Sequence, residues 1–301
     1  MTSHHLLSDH LHRPAASSQQ QSEQTAAVRA QQQPGFSRSA HLSESRGAQR
    51  SQKRAAAQSV VSPPGAGLLA DNGLIQQRPQ LPRLRAEPQQ PMRVAVDVDE
   101  VLARFLPSLN RFVKERYNIV FALSDYSVYE FHRVWRCDRD TARNIVHEFF
   151  GSKHFIHGIR PIPGAFQSLQ RLKQHCELVV VTSRQNAIQD ATRAWLDQHY
   201  PQTFREVFFG NHFAKEGATR TKSDICREVG ASVLVDDNPG YAVDCATAGL
   251  QVLLYDWQMS YPWNRPCPEL DHPLIQRVGD WRQVEHALKQ LSRAHQQKLQ
   301  H

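Results

Sequence analysis

Long apolar runs are missing from this chain of 301 residues. No stretch approaches the roughly 18 apolar residues of a membrane-spanning helix, so no such span is expected. No apolar core of a secretory signal follows Met1. Paired cysteines are missing as well. Cys137, Cys176, Cys226, Cys245 and Cys267 are odd in number and form no C-x-x-C motif. They read as reduced thiols, which points to a cytosolic or organellar interior. The histidines show no zinc-ligand spacing; the pair at His4 and His5 reads as solvated.

Acidic and aromatic residues are scarce at the N-terminal end. Residues 1–92 hold ten Arg or Lys, five Asp or Glu and fifteen Gln, with Phe36 as the single aromatic. So little apolar surface cannot offset the entropy of ordering, and a disordered low-complexity tail is expected. Its Ser, Ala and Arg content fits a transit peptide to a chloroplast or mitochondrion. The Gln content fits a tail with no targeting role, which would leave the protein in the cytoplasm. Of the formal charge of +7, the tail carries +5 (10 − 5), leaving +2 for residues 93–301. No Lys/Arg cluster with interleaved aromatics occurs there, so nucleic acid is not the expected ligand.

What the chain does contain, beyond residue 92, is an alternation. The runs RVAVDV (93–98), ELVVVTS (177–183), EVFFG (206–210), SVLVDD (232–237) and QVLLYD (251–256) are continuous, apolar and of strand length. Such runs suit parallel strands covered on both faces. Helical patterns separate them: 187–199, 221–229 and 239–249, the last with Pro239 at its start and Gly249 at its end. A final helix opens at Asp280, with Gln283 completing a capping box. The pattern predicts an α/β fold with a doubly wound, mainly parallel, Rossmann-like sheet. The core is expected over 93–291, with a polar tail at 292–301. About 60 residues separate the first strand from the helix near Pro163, too many for a βα loop. Residues 105–160 are expected to form a small helical cap. One amphipathic stripe is Phe105, Leu109, Phe112 and Val113; another is Ala142, Ile145, Val146 and Phe149.

Ligands of an open α/β sheet bind beyond the carboxyl ends of its strands. There the chain places Asp97 and Asp99, then Thr182, Ser183 and Arg184, and Asp236 and Asp237; Lys222 begins the helix before the fourth strand. Four carboxylates crowd together only with a compensating charge. Oxygen ligands without His or Cys favour Mg²⁺. Cation, Lys222 ammonium and Thr182 hydroxyl together would hold a phosphoryl group. One carboxylate can attack phosphorus, and a second can protonate the departing oxygen. An extended D-x-D segment would turn both side chains to one face.

These motifs resemble those of the haloacid dehalogenase (HAD) superfamily, taken in order as DVDEV, Thr182 in VVVTSR, Lys222 and VDD. RPIPGAFQSLQRLK, VLVDDN and GDWRQVEHAL are similar to the 5'(3')-deoxyribonucleotidase group. The resemblance covers about 93–291. It implies a Mg²⁺-dependent phosphomonoester hydrolase with an aspartyl-phosphate intermediate, acting on a small-molecule phosphate ester such as a nucleoside monophosphate. It implies Asp97 as nucleophile, Asp99 as acid/base, and Thr182 and Lys222, with Ser183, as phosphate holders. The metal would sit on Asp97, the Asp99 carbonyl and Asp237, with Asp236 as a further partner. Phe105 matches a phenylalanine that packs on the nucleobase in that group, although a phenylalanine at such a position is more often core. Arg184 is a substrate clamp or a surface residue. Two departures stand out: Glu100 replaces the usual glycine after D-x-D, and a full helix separates Lys222 from Asp236.

Two other readings use the same residues. One is a catalytically inactive, HAD-like binding or regulatory domain. The other is a receiver-type phosphoacceptor, disfavoured because there the acidic pair precedes the phosphorylated Asp. Tyr126, Tyr129, Phe131 and Trp135 line a pocket in the cap or form its own core. YPWNRPCP (261–268) reads as an irregular surface loop without chemistry. A homodimer is left open.

Overall fold

The computed structural model describes residues 90–214 and 216–299. The expected tail and its targeting role fall on residues outside these, apart from 90–92, where Met92 opens the first strand. The strands are β1 (Met92–Val96), β2 (Cys176–Thr182), β3 (Val207–Phe209), β4 (Val233–Asp236), β5 (Gln251–Tyr255) and β6 (Ile275–Val278). They form one sheet in the order β3-β2-β1-β4-β5-β6, with every neighbouring pair parallel. The order reverses direction between β1 and β4, and a crevice opens at the carboxyl ends of strands at such a point.

Side chains alternate between the two faces of each strand. Val94, Val96, Val180, Val235 and Leu253 belong to one buried cluster; Ala95, Val179, Val181, Leu234 and Leu254 belong to another. Nine helices are found among the described residues. α1 (Phe105–Tyr117), α2 (Phe131–Trp135), α3 (Arg139–Phe150) and α4 (Lys153–Ile156) lie between β1 and β2. α5 (Ala165–Leu172), α6 (Gln189–His199), α7 (Lys222–Glu228), α8 (Pro239–Thr247) and α9 (Trp281–Lys298) follow. α5, α6 and α9 contribute to the first cluster, and α7 and α8 to the second, so both faces are covered as expected.

Three expectations need correcting. β6 was not anticipated; as an edge strand it is only partly buried and shows no continuous apolar run. α9 runs to Lys298, past the expected core boundary at 291, and Ser292 within it is buried and donates to the His175 carbonyl at 2.8 Å. The cap at Asp280 is real, since its carboxylate accepts from the Gln283 N–H at 2.8 Å, but the Gln283 side chain accepts from Gly279 N rather than from Asp280 N.

The insertion between β1 and β2 joins the sheet through a two-stranded neck. Ala103 and Pro161 form an antiparallel bridge, Arg104 N donates to Arg160 O, and Ile162 N donates to Leu102 O, both at 2.8 Å. Tyr126, Phe131 and Trp135 pack on one another: the Phe131 and Trp135 rings stack at 5.0 Å, and Trp135 Nε1 donates to the Tyr126 hydroxyl.

Glu100 bolts the insertion down. Its backbone is left-handed, with φ of 57°, the conformation that explains glycine in the resembling group. Its buried carboxylate accepts from the Leu106 N–H of α1 at 2.6 Å, and from the Tyr261 hydroxyl, 3.2 Å away. The same hydroxyl lies 2.8 Å from the Glu100 carbonyl. Burial pushes the Glu100 carboxyl up to about 7, against the lowering effect of the Leu106 N–H.

Glu100→Ala should therefore cost about 1–3 kcal/mol, since it strands a buried N–H; urea unfolding checks this, and Glu100→Gln should lose less. The folded state keeps the Glu100 proton up to about pH 7, while the unfolded chain releases it near 4.5. Stability should fall as pH rises across that window, and less steeply in Glu100→Gln.

Candidate active site

β1 delivers Asp97. Its N–H donates to Val235 O of β4 at 2.9 Å, which keeps it in line just past the last paired residue. β4 delivers Asp236, followed directly by Asp237. α7 delivers Lys222 from its first turn, where the Thr221 hydroxyl accepts from Asp224 N at 3.1 Å and caps the helix. All four side chains are buried.

The Lys222 ammonium lies 2.8 Å from Asp97 Oδ1 and 2.5 Å from Asp236 Oδ2. It also stands over the Tyr241 ring, 4.8 Å from the centroid. Burial opposes its charge, yet Asp236 and Asp97 outweigh that and hold the ammonium protonated well above its usual range. Asp236 has no oxygen left over, because its second one accepts from Asn238 N at 2.9 Å. Asp237 is the opposite case: neither of its buried oxygens accepts a hydrogen bond.

One oxygen from each of Asp97, Asp236 and Asp237 lies within 4.8 Å of the others. Three carboxylates around one ammonium leave an excess of two negative charges. Burial, above all, pushes Asp97 up to about 7, with Lys222 pulling it down and Asp236 and Asp99 adding to the rise. Asp237 is raised well above the carboxylate range by burial, then by Asp236 and Asp97. The orphaned oxygens of Asp237 and the uncompensated charge fit a divalent cation with oxygen ligands.

Asp99 does not join this cluster through its carboxylate. The chain bends at Val98, so the extended segment that would have turned both aspartates to one face is not formed. The Asp99 carboxylate is held by Arg184, with Nη2–Oδ1 at 2.7 Å and Nε–Oδ2 at 3.0 Å. Arg184 is accordingly neither a surface residue nor an open clamp. Its side chain is 3% exposed, donates to the Thr192 hydroxyl, and lies over the Phe155 ring.

Thr182 ends β2, two residues past Val180, the partner of Val96, and so at the same sheet edge. It is fully buried, and its hydroxyl accepts from Arg184 N at 3.2 Å. The Ser183 side chain lies beside Tyr241, whose hydroxyl is 2.6 Å from His212 Nδ1. Phe105 is buried, with its ring edge-on to Phe149 at 5.2 Å, and sits in the hydrophobic core.

The loop 261–268 is the surface segment expected only over its second half, 265–268; its first half is mostly buried. Tyr261 and Trp263 are buried and stack at 4.6 Å, and Trp263 Nε1 donates to the Asp237 carbonyl at 3.1 Å. Tyr129 of the insertion packs edge-on against Trp263 and lies close enough to Asp237, Asp97 and Asp236 for their charges to raise its hydroxyl well above its usual range, after burial. The sequence signal for this wall was two aromatics and an Asn inside a proline-rich loop, which periodicity does not register.

Among solved structures, the fold is similar to a predicted phosphatase from Clostridium acetobutylicum, with 15% identity, a TM-score of 0.50, and coverage of 67% of this chain and 98% of that one. It is similar also to the Protein Tyrosine Kinase A of Mycobacterium tuberculosis, with 17% identity, a TM-score of 0.51, and coverage of 67% and 99%. At these identities the likeness is one of fold. No curated protein matches the sequence. The family model described as "5' nucleotidase, deoxy (Pyrimidine), cytosolic type C protein" matches residues 90–296, a span that contains every residue of the site above. With its all-parallel HAD-like sheet and that match, the chain belongs to the cytosolic type C family of deoxy (pyrimidine) 5' nucleotidases, phosphatases of the HAD superfamily.

Proposed function

We propose that the chain hydrolyses a nucleoside monophosphate at the Asp97–Lys222–Asp236–Asp237 cluster, with Asp97 as nucleophile. The observation that carries this reading is the Lys222 ammonium, buried between two carboxylates, beside a third whose oxygens are both unpartnered. A purely structural ion pair has no use for the extra carboxylate, which is costly to bury.

Asp97 and Asp237 would hold Mg²⁺ through their carboxylates, the Asp99 carbonyl would complete the protein's ligands, and Asp236 would steady Lys222. When bound, the cation supplies charge neutralisation for the approaching phosphoryl oxygens. Lys222 and the Thr182 and Ser183 hydroxyls are the donors for those oxygens. An Asp97 oxygen attacks phosphorus and the bond to the nucleoside oxygen breaks, leaving an aspartyl-phosphate. Asp99 gives that oxygen its proton. It then accepts one from water, which attacks phosphorus and frees phosphate and Asp97. Both Asp99 oxygens are engaged by Arg184, so one must leave the guanidinium before Asp99 reaches the substrate. Tyr129 and Trp263 form an aromatic wall beside the cluster, a surface that would suit a nucleoside.

Asp97→Asn should lower kcat on nucleoside monophosphates by at least about a thousandfold while the variant stays folded by circular dichroism. Wild-type protein with no turnover of any phosphate ester in Mg²⁺ would favour a binding domain instead. Because Asp97 sits near 7 and Asp237 is raised well above the carboxylate range, Mg²⁺ binding at pH 7 should release protons from both and tighten as pH rises. Calorimetry in two buffers of different ionisation enthalpy measures this. Proton release in Asp97→Asn equal to that of the wild type would remove Asp97 from the ligand set.

A further inference from the structure

We propose that the neck of the helical insertion carries a second anion site, built by Arg104, Arg111 and Arg160, for a phosphate-type dianion. These three arginines and Pro107 line one open cleft with a volume of about 50 Å³. None of them is a residue of the active site, and the inference does not depend on the hydrolase reading.

Elsewhere in the fold, Arg93, Arg171, Arg184 and Arg205 each meet a carboxylate. The three at the neck form no salt bridge among the described residues, although Glu100 lies near enough to Arg104 for the two charges to act on each other. The Arg104 Nε is buried and has no hydrogen-bond partner. Its guanidinium is held over the Trp257 ring, 4.8 Å from the centroid. Arg111 is steadied by the Gly158 carbonyl at 2.7 Å and the Ser108 hydroxyl at 3.2 Å, which leaves other N–H groups free. Arg160 is exposed, and its carbonyl accepts from Arg104 N, so the two residues are fixed side by side on the two strands of the neck.

Three positive groups around one cavity repel one another until an anion joins them. Guanidinium forks match the oxygens of phosphate or carboxylate in pairs. At about 50 Å³ the cleft is far smaller than the roughly 300–1,000 Å³ that takes a whole drug-sized ligand, and so suits a single phosphate head. An occupant would bridge Arg104 and Arg160 across the neck and Arg111 on α1, stiffening the mount of the insertion.

The test is thermal unfolding of the full chain in EDTA, with inorganic phosphate added and ionic strength held constant with chloride. Without a cation the Asp97–Asp236–Asp237 cluster repels anions, so the active site should stay silent. The expected result is a saturable rise in Tm of a few degrees. It should be lost in Arg160→Gln and in Arg111→Gln, and kept in Asp97→Asn. A nucleoside monophosphate in place of phosphate separates the sources: a rise there too admits phosphate esters, and a rise with inorganic phosphate alone identifies the free ion. No saturable rise in the wild type, the same rise in both arginine variants, or loss of the rise in Asp97→Asn would overturn the proposal.

Discussion

The arrangement depends on one buried cation, the Lys222 ammonium between Asp97 and Asp236. An unpaired ammonium in a dry interior is costly, and removing either partner of such a pair typically costs about 3–5 kcal/mol. The ends of β1 and β4 and the first turn of α7 must therefore converge on one point. The parallel pairing of β1 with β4, and the cap that Thr221 gives α7, place them there. Once Asp237 is added, the local balance turns negative. The same geometry that satisfies the lysine thus creates the demand for a divalent cation.

Around this centre the chain is tied together by contacts of long reach. Glu100 links the D-x-D turn to α1 and to the loop after β5. Tyr261 stacks on Trp263, which grips the Asp237 carbonyl, and Tyr129 of the insertion leans on Trp263. Arg184, placed at the end of β2, holds Asp99. Sheet, insertion and loop therefore meet at the acidic cluster through buried polar contacts, and a shift in one is felt by the others. The glycine expected after D-x-D gives way to a residue that accepts the same left-handed backbone and uses its carboxylate as a fastener.

Much of this was legible in the sequence, because it lives in local pattern. Continuous apolar runs marked five strands, and polar residues at their carboxyl ends marked Asp97, Thr182, Asp236 and Asp237. Lys222 followed from its place at a helix start. Much of what escaped is pairing across long separations. Arg184 and Asp99 lie 85 residues apart, and Tyr261 and Glu100 lie 161 apart, so neither pairing leaves a trace in periodicity. β6 escaped because an edge strand is half solvated. The bend at Val98 escaped because it is closed by backbone bonds, from Leu102 N and Ala103 N to the Val98 carbonyl, which apolar periodicity does not register.

The central claim is that Asp97 and Asp237 share one cation while Lys222 faces the transferred phosphoryl group. A crystal structure with Mg²⁺ and beryllium fluoride tests it most directly. The account predicts fluoroberyllate bonded to an Asp97 oxygen, Mg²⁺ touching both Asp97 and Asp237, and Lys222 within hydrogen-bond reach of fluorine. Fluoroberyllate absent from Asp97 under saturating conditions, with the cation on other residues, would contradict it.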